Sequence, residues 1–300
     1  MDLSAVREVS RAVSAAHLFT YLVPEGAQEA AGFGVTDRGP AYLAFRSAAM
    51  GAVPWQVTHA AFYNFSPRAV RAMAGVWDAA PPERWQAARF LAAGRAMRRV
   101  GVRLTDGRLA EARALIDPVV TGADCAGKVL AAANASVAPP SDPLVALWQQ
   151  ITVAREWRGD AHLVVLADND VGPCDCLVLH TAAGGLPTAL ARATRQWDDG
   201  EWAAATARLT ARGWLAPAPA PASAPDPDTP LTDAEPTAPT LTDAGRVARE
   251  RIEAETDEHC AALWAPIGDT GARRFASLIA PITDAFTAAG TFQGLRPASA

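Results

Sequence analysis

Three hundred residues, half of them apolar, carry 32 acidic and 27 basic side chains for a formal charge of −5. A chain of that length and hydrophobicity buries a substantial core, which excludes global disorder and, at roughly 100–200 residues per domain, makes it two closely packed domains or one large one. It has no uninterrupted apolar run of about 18 residues, and its start places Asp2, Arg7, Glu8 and Arg11 on a helical pattern where a signal peptide would need an apolar core, so a cytoplasmic chain without membrane spans is expected.

The dominant period along the chain is helical. Val6, Val9, Val13, His17 and Tyr21 recur at three- or four-residue steps, which buries one stripe of a first helix and takes a histidine into the core. Further helices are predicted from Pro40 to Met50, Pro67 to Asp78, Pro82 to Val100 and Arg108 to Val120, with Pro67 and Pro82 in first-turn positions where a missing N–H is tolerated. Residues 1–138 thus read as an all-helical N-terminal domain.

The run Ala138-Pro139-Pro140-Ser141-Asp142-Pro143 marks a boundary before a second unit, residues 144–290. Helices are expected there from Leu144 to Trp157 and from Asp160 to Asn169. Two short ones follow at helix-turn-helix spacing, Pro187 to Ala193 and Asp198 to Arg212, the latter opened by acidic residues and closed by Gly213. Residues 216–240 alternate Ala with Pro and then carry acids without one Lys or Arg, the composition of a disordered loop. Helix resumes near Leu241 and runs to Leu263, and a last helix covers Ala272 to Ala289. The four cysteines, Cys125, Cys174, Cys176 and Cys260, are too few and too scattered for a disulfide framework and read as reduced thiols.

The order Glu201-Trp-Ala-Ala-Ala-Thr-Ala-Arg-Leu-Thr-Ala-Arg-Gly-Trp-Leu215, a loop, and then Leu241-Thr-Asp-Ala-Gly-Arg246 resembles the winged-helix module of MarR-like regulators over roughly residues 144 to 265. That resemblance implies an all-α fold in which a helical N-terminal domain packs on a winged-helix domain with a small two-stranded wing. It also implies a recognition helix beginning at Asp198 and a homodimer formed through the helix from Arg246 to Leu263 and the termini. More widely, Arg155-Glu-Trp-Arg-Gly-Asp-Ala-His162, Val178-Leu-His180, His17 to Glu25 and Phe62-Tyr-Asn-Phe-Ser-Pro67 are similar to an actinobacterial helix-turn-helix family of largely unassigned function.

The electrostatics depart from those of a DNA reader. The first turn of the expected recognition helix reads Asp198-Asp199-Gly200-Glu201-Trp202, and the wing region carries acids and no bases, so carboxylates would face phosphates and the main attractive contribution to DNA affinity is lost. Arg192 and Arg195, just before that helix, are the features that favour DNA.

Chemistry concentrates in Arg158-Gly-Asp-Ala-His162. Arg158 and His162 share a helical face, while Asp160 lies about 200° from either and is placed to cap the helix start. With an unperturbed pKa near 6.5, His162 suits a general acid or base, Arg158 an anchor for a carboxylate or enolate oxygen, and Asp160 an orienting group. The plain alternative is a capped helix whose surface arginine pairs with Glu156 or Asp160. His17, Tyr21 and Glu25 fall on one stripe, and His180 follows an apolar Cys176-Leu-Val-Leu and is expected to be buried. Converging with His162, these residues would make a polar cluster in an apolar pocket, to which Tyr63, Asn64 and Trp157 are secondary additions.

Structural zinc has no ligand pattern here, and the set His17, His162 and His180 is the one arrangement that an open catalytic metal could use, so no metal is assigned. With no Gly-x-Gly-x-x-Gly after a strand, no P-loop and no Gly-x-Ser-x-Gly elbow, no cofactor is expected either. The leading expectation is a pocket protein derived from a winged-helix regulator, acting on a small aromatic or polyketide-like molecule of specialised metabolism by cofactor-independent acid–base chemistry: cyclisation, isomerisation or hydrolysis. The alternatives are a ligand-responsive transcription regulator and a ligand-sequestering resistance protein.

Overall fold

A computed structural model describes residues 1–217 and 239–293; the greater part of the acidic Pro/Ala loop expected at 216–240 lies outside the described residues. Fifteen α-helices are present among the described residues, and the regular structure is helical throughout. In chain order they are α1 (Leu3–Leu18), α2 (Pro24–Ala31), α3 (Arg38–Ser47), α4 (Trp55–Ala61), α5 (Pro67–Arg71), α6 (Val76–Ala79), α7 (Pro82–Arg99), α8 (Asp106–Thr121), α9 (Val129–Ala135), α10 (Pro143–Asp168), α11 (Pro173–Ala182), α12 (Thr188–Arg195), α13 (Asp199–Ala211), α14 (Asp243–Trp264) and α15 (Gly268–Ala288). No described helix is long and apolar enough to cross a membrane.

Local chemistry accounts for most boundaries. The side chains of Asp2, Asp37, Ser66, Thr105, Asp142, Asp198 and Thr242 each accept a backbone N–H in the first turn of the helix they precede, satisfying donors the helix itself leaves free. Pro24 opens α2 and separates it from α1, so Glu25 leaves the His17–Tyr21 stripe on which it was expected. The helix predicted from Pro67 to Asp78 divides into α5 and α6, with Gly75 at the start of the second. Conversely, the two helices predicted on either side of Gly159 are one, α10. Asp160 does not cap its own helix; its carboxylate accepts the Ala131 N–H of α9 at 2.9 Å.

Three apolar cores hold the helices together. The largest joins α1, α8, α10 and α15 with the ends of α7 and α14, and so takes side chains from both sides of the Pro139-Pro140 break. A second lies among α2 to α7 around Trp85, whose indole N–H donates to the Val76 carbonyl at 3.2 Å. The third joins the end of α10 to α11, α12, α13 and the start of α14, and contains Trp202, Leu209, Trp214 and Leu215. Within it α12 and α13 form a helix-turn-helix, with Gln196 at the turn in the left-handed region (φ 55°). The expected two-stranded wing is reduced, among the described residues, to one antiparallel bridge between Leu215 and Leu241.

Candidate functional site

The helix-turn-helix does not stand clear of the N-terminal helices. The Ser66 N–H donates to the Arg195 carbonyl at 3.0 Å, the Trp197 indole to the Asn64 carbonyl at 2.9 Å, and Arg68 of α5 to the Gln196 carbonyl at 2.9 Å. Arg68 also pairs with Glu201 and lies 3.5 Å from Asp198, so the acidic first turn of α13 is docked on the segment Asn64–Arg68. The basic residues of this unit are engaged within the protein. Arg192 pairs with Asp199, Arg208 with Asp175 at 2.6 Å, and Arg212 with the carbonyls of Asn169 and Asp170. Tyr63 belongs to the same junction, its hydroxyl donating to the Val171 carbonyl at 2.6 Å, and Asn64 takes part through its backbone.

The three candidate histidines divide between two places, His17 in one and His162 with His180 in the other, and no three metal-ligating side chains gather at one point among the described residues. His162 and Arg158 face α14. The Thr256 hydroxyl donates to the Ile252 carbonyl at 2.8 Å, so it accepts the Nδ1–H of His162, also at 2.8 Å, and leaves Nε2 as the unprotonated nitrogen. Burial holds this imidazole below its usual 6.5; Glu253 opposes that shift, and Arg158, Arg249 and His180 add to it, so His162 is a base at neutral pH. Arg158 pairs with Glu253 at 2.7 Å and approaches Asp257 at 3.5 Å, and its buried Nε has no partner among the described residues. It forms one wall of a cleft of about 320 Å³ between α1, α10 and α14, together with Arg7, Ser10, Ser14, Arg249 and Glu253.

Asp160 points away from this cleft. Burial raises its carboxyl to about 6, helped by the Glu156 charge and opposed by the Ala131 N–H. Because the folded value exceeds the unfolded one, Asp160 favours the fold at low pH, and roughly 3 kcal/mol of that contribution is lost as the pH rises from 4 to above 6. Asp160→Asn keeps an acceptor for Ala131 and removes this loss, so the variant gains on the wild type with rising pH. Urea midpoints of both proteins at pH 4.5 and 8 check this; a constant difference refutes it.

The second cluster is buried where α1, α3, α7 and α10 meet. His17 is 1% exposed, stacks on Trp148 at 5.4 Å between ring centroids, and places Nε2 3.2 Å from an Arg89 guanidinium nitrogen and 3.5 Å from the Tyr21 hydroxyl. Burial, with Arg155, Arg89 and Arg46 adding to it, holds His17 well below 6.5, so it is neutral and Nε2 accepts from Arg89. Arg46 donates to both Glu156 oxygens at 3.0 and 2.7 Å and to the Tyr42 hydroxyl at 3.1 Å. Burial pushes the Tyr42 phenol up, yet Arg46, Arg195 and Arg155 outweigh it and leave the group below 10.

Of the other residues read from the sequence, Glu25 pairs with Arg99 at 2.6 Å, outside this cluster. Trp157 donates to the Asp124 carbonyl at 2.9 Å within the largest core. His180 is exposed and not buried as expected: it stands in the last turn of α11 and its ring lies against Gly185, just after the helix. Arg195 and Glu156 take roles here other than those read from the sequence, and Arg46 and Arg89 were not anticipated, although a signal existed. Arg89 stands four residues after Trp85 and Arg46 four after Tyr42, on the apolar faces of their helices, where a solvated arginine has no place.

No curated protein and no solved structure matches this chain. A family profile described as a helix-turn-helix family matches residues 6–293, nearly the whole length, including the N-terminal helices that hold the helix-turn-helix down. The chain belongs to that helix-turn-helix family.

Proposed function

We propose that this protein binds a small organic molecule in the cleft between α1, α10 and α14 and acts on it by acid–base chemistry without a cofactor, the helix-turn-helix serving as scaffold. The observation that carries this reading is the docking of the acidic first turn of α13 on Asn64–Arg68. That turn is where a recognition helix meets bases and phosphates, and here it is both negatively charged and occupied. In this reading His162, one turn along α10 from the Arg158 that lines the cleft, takes or returns the proton at Nε2, Thr256 fixes the tautomer, and Arg158 steadies the oxygen on which charge develops.

Asp160 has a structural role, since its carboxylate serves α9. A MarR-like regulator remains the second reading, favoured by family membership; it requires α12 and α13 to leave Asn64–Arg68.

Two measurements on the full chain decide between them. Aromatic and polyketide-like metabolites are screened by thermal shift and then for turnover, with His162→Gln expected to retain ligand binding and lose turnover by at least about a hundredfold. Fluorescence anisotropy with genomic-promoter duplexes from low to physiological salt is expected to give no steeply salt-dependent binding. Tight duplex binding that weakens steeply with salt overturns the scaffold reading.

A further inference from the structure

The buried cluster at the meeting of α1, α3, α7 and α10 has more donors and more positive charge than it can satisfy. Four arginines, Arg46, Arg89, Arg155 and Arg195, act electrostatically on its two tyrosines and His17, and Glu156 is the carboxylate that pairs with two of them. Arg46 and Arg155 share Glu156. Arg89, 3% exposed, is left with two neutral partners, the Asn134 side-chain oxygen at 3.1 Å and His17 Nε2 at 3.2 Å.

Unpaired donors coincide with that excess. The Nε atoms of Arg46, Arg89 and Arg195 and the indole nitrogen of the fully buried Trp148 have no hydrogen-bond partner among the described residues. The Arg89 guanidinium lies 4.9 Å over the Trp148 ring, which brings two of these donors to one place. Aromatic faces at 4.7 to 4.9 Å from Arg46, Arg89 and Arg195 offset part of the cost, but a cation–π contact is weaker than the desolvation of a buried ion. What the cluster lacks is an acceptor bearing negative charge.

We propose that this junction is a binding site for a small organic carboxylate, whose oxygens take the free donors of Arg89 and Trp148. A carboxylate fits better than a phosphate: one charge matches the part of the excess that Glu156 leaves around Arg89, and surroundings in which Tyr21, Tyr42 and Phe62 pack around Arg46 are too apolar for a heavily hydrated dianion. The site is separate from the cleft that Arg158 lines. His17 meets Trp148 at one end of the α1–α10 contact, and Ser10 and Arg158 meet at the other, seven residues or about 10 Å along α1. It therefore does not depend on the acid–base reading.

The test is thermal unfolding and titration calorimetry of the full chain with acetate, hexanoate and phenylacetate, each against its amide, with sodium chloride as the ionic-strength control. At least one carboxylate is expected to raise the melting temperature in a saturable way while its amide and sodium chloride do not. Arg89→Gln is expected to abolish the effect. Trp148→Phe keeps the aromatic bulk, loses one donor, and is expected to weaken binding about tenfold; it serves as the reading if Arg89→Gln does not fold. Three outcomes overturn the proposal: no carboxylate outperforming its amide, an undiminished effect in a folded Arg89→Gln, or wild-type affinity in Trp148→Phe.

Discussion

Replacing Glu156 with Gln is expected to destabilise the protein by about 3–5 kcal/mol, because it leaves the Arg46 guanidinium buried without its paired carboxylate. Glu156 is 1% exposed and holds Arg46 at 2.7 Å and Arg155 at 2.7 Å. Arg155 reaches solvent and can hydrate after the change; Arg46 cannot. The pair Arg46→Met with Glu156→Leu should recover much of the loss, since removing both ions also removes both desolvation penalties. Guanidinium denaturation of the three proteins measures this, and a Glu156→Gln variant within about 1 kcal/mol of wild type refutes the account.

The acid response of the same variant separates two groups. Burial pushes the Glu156 carboxyl up, but Arg155, Arg46 and Arg89 outweigh it and hold it below 4.5. Its contribution is therefore complete above pH 4.5 and is lost as the pH falls through the folded-state value. His17 also has a lowered folded value. Below pH 6.5 the unfolded chain takes up a proton that the folded His17 refuses, which lowers stability from there downward; His162 acts in the same sense and Asp160 in the opposite one. Glu156→Gln is expected to lose the part of the acid destabilisation that lies below pH 4.5 and to keep the contributions of the histidines and Asp160 above it.

The second large effect is at Gly245, in the first turn of α14. A Cβ there would lie 2.0 Å from the Trp214 carbonyl oxygen and 2.9 Å from its carbon. Neither can retreat: the Thr242 N–H donates to that oxygen at 3.0 Å, while the Thr242 hydroxyl donates to the Gly213 carbonyl and caps Gly245 N at 3.0 Å. Gly245→Ala is expected to cost about 3 kcal/mol, as overpacking against backbone does, although Ala is the better helix former by about 1 kcal/mol. Gly107→Ala, at a helical position with open space around its Cβ, is the control and is expected to be neutral or slightly stabilising. Equal stabilities of the two variants in urea would mean that the α13–α14 junction yields.

Gly245 also shows how far a sequence pattern reaches. Leu241-Thr-Asp-Ala-Gly245 was legible as the opening of a long helix, and Thr242 does cap it, but the reason for glycine is a carbonyl 31 residues earlier. Asp160 is similar. Its helical phase relative to Arg158 and His162 was evident from 100° per residue, whereas its partner, Ala131 of α9, was not.

The sequence by itself determined the helical class, the stripe of α1, the helix-turn-helix spacing and the acidity of the turn that opens α13. Each of these depends on neighbours within about four residues, through periodicity, first-turn donors and local charge. Tertiary structure alone decided that Arg46 meets Glu156 across 110 positions and Arg68 meets Glu201 across 133. It also decided that His17 and His162 occupy different places and that Glu25 joins neither. Those pairings follow from which apolar faces pack together, and a buried charge takes its partner from whatever helix the packing brings alongside.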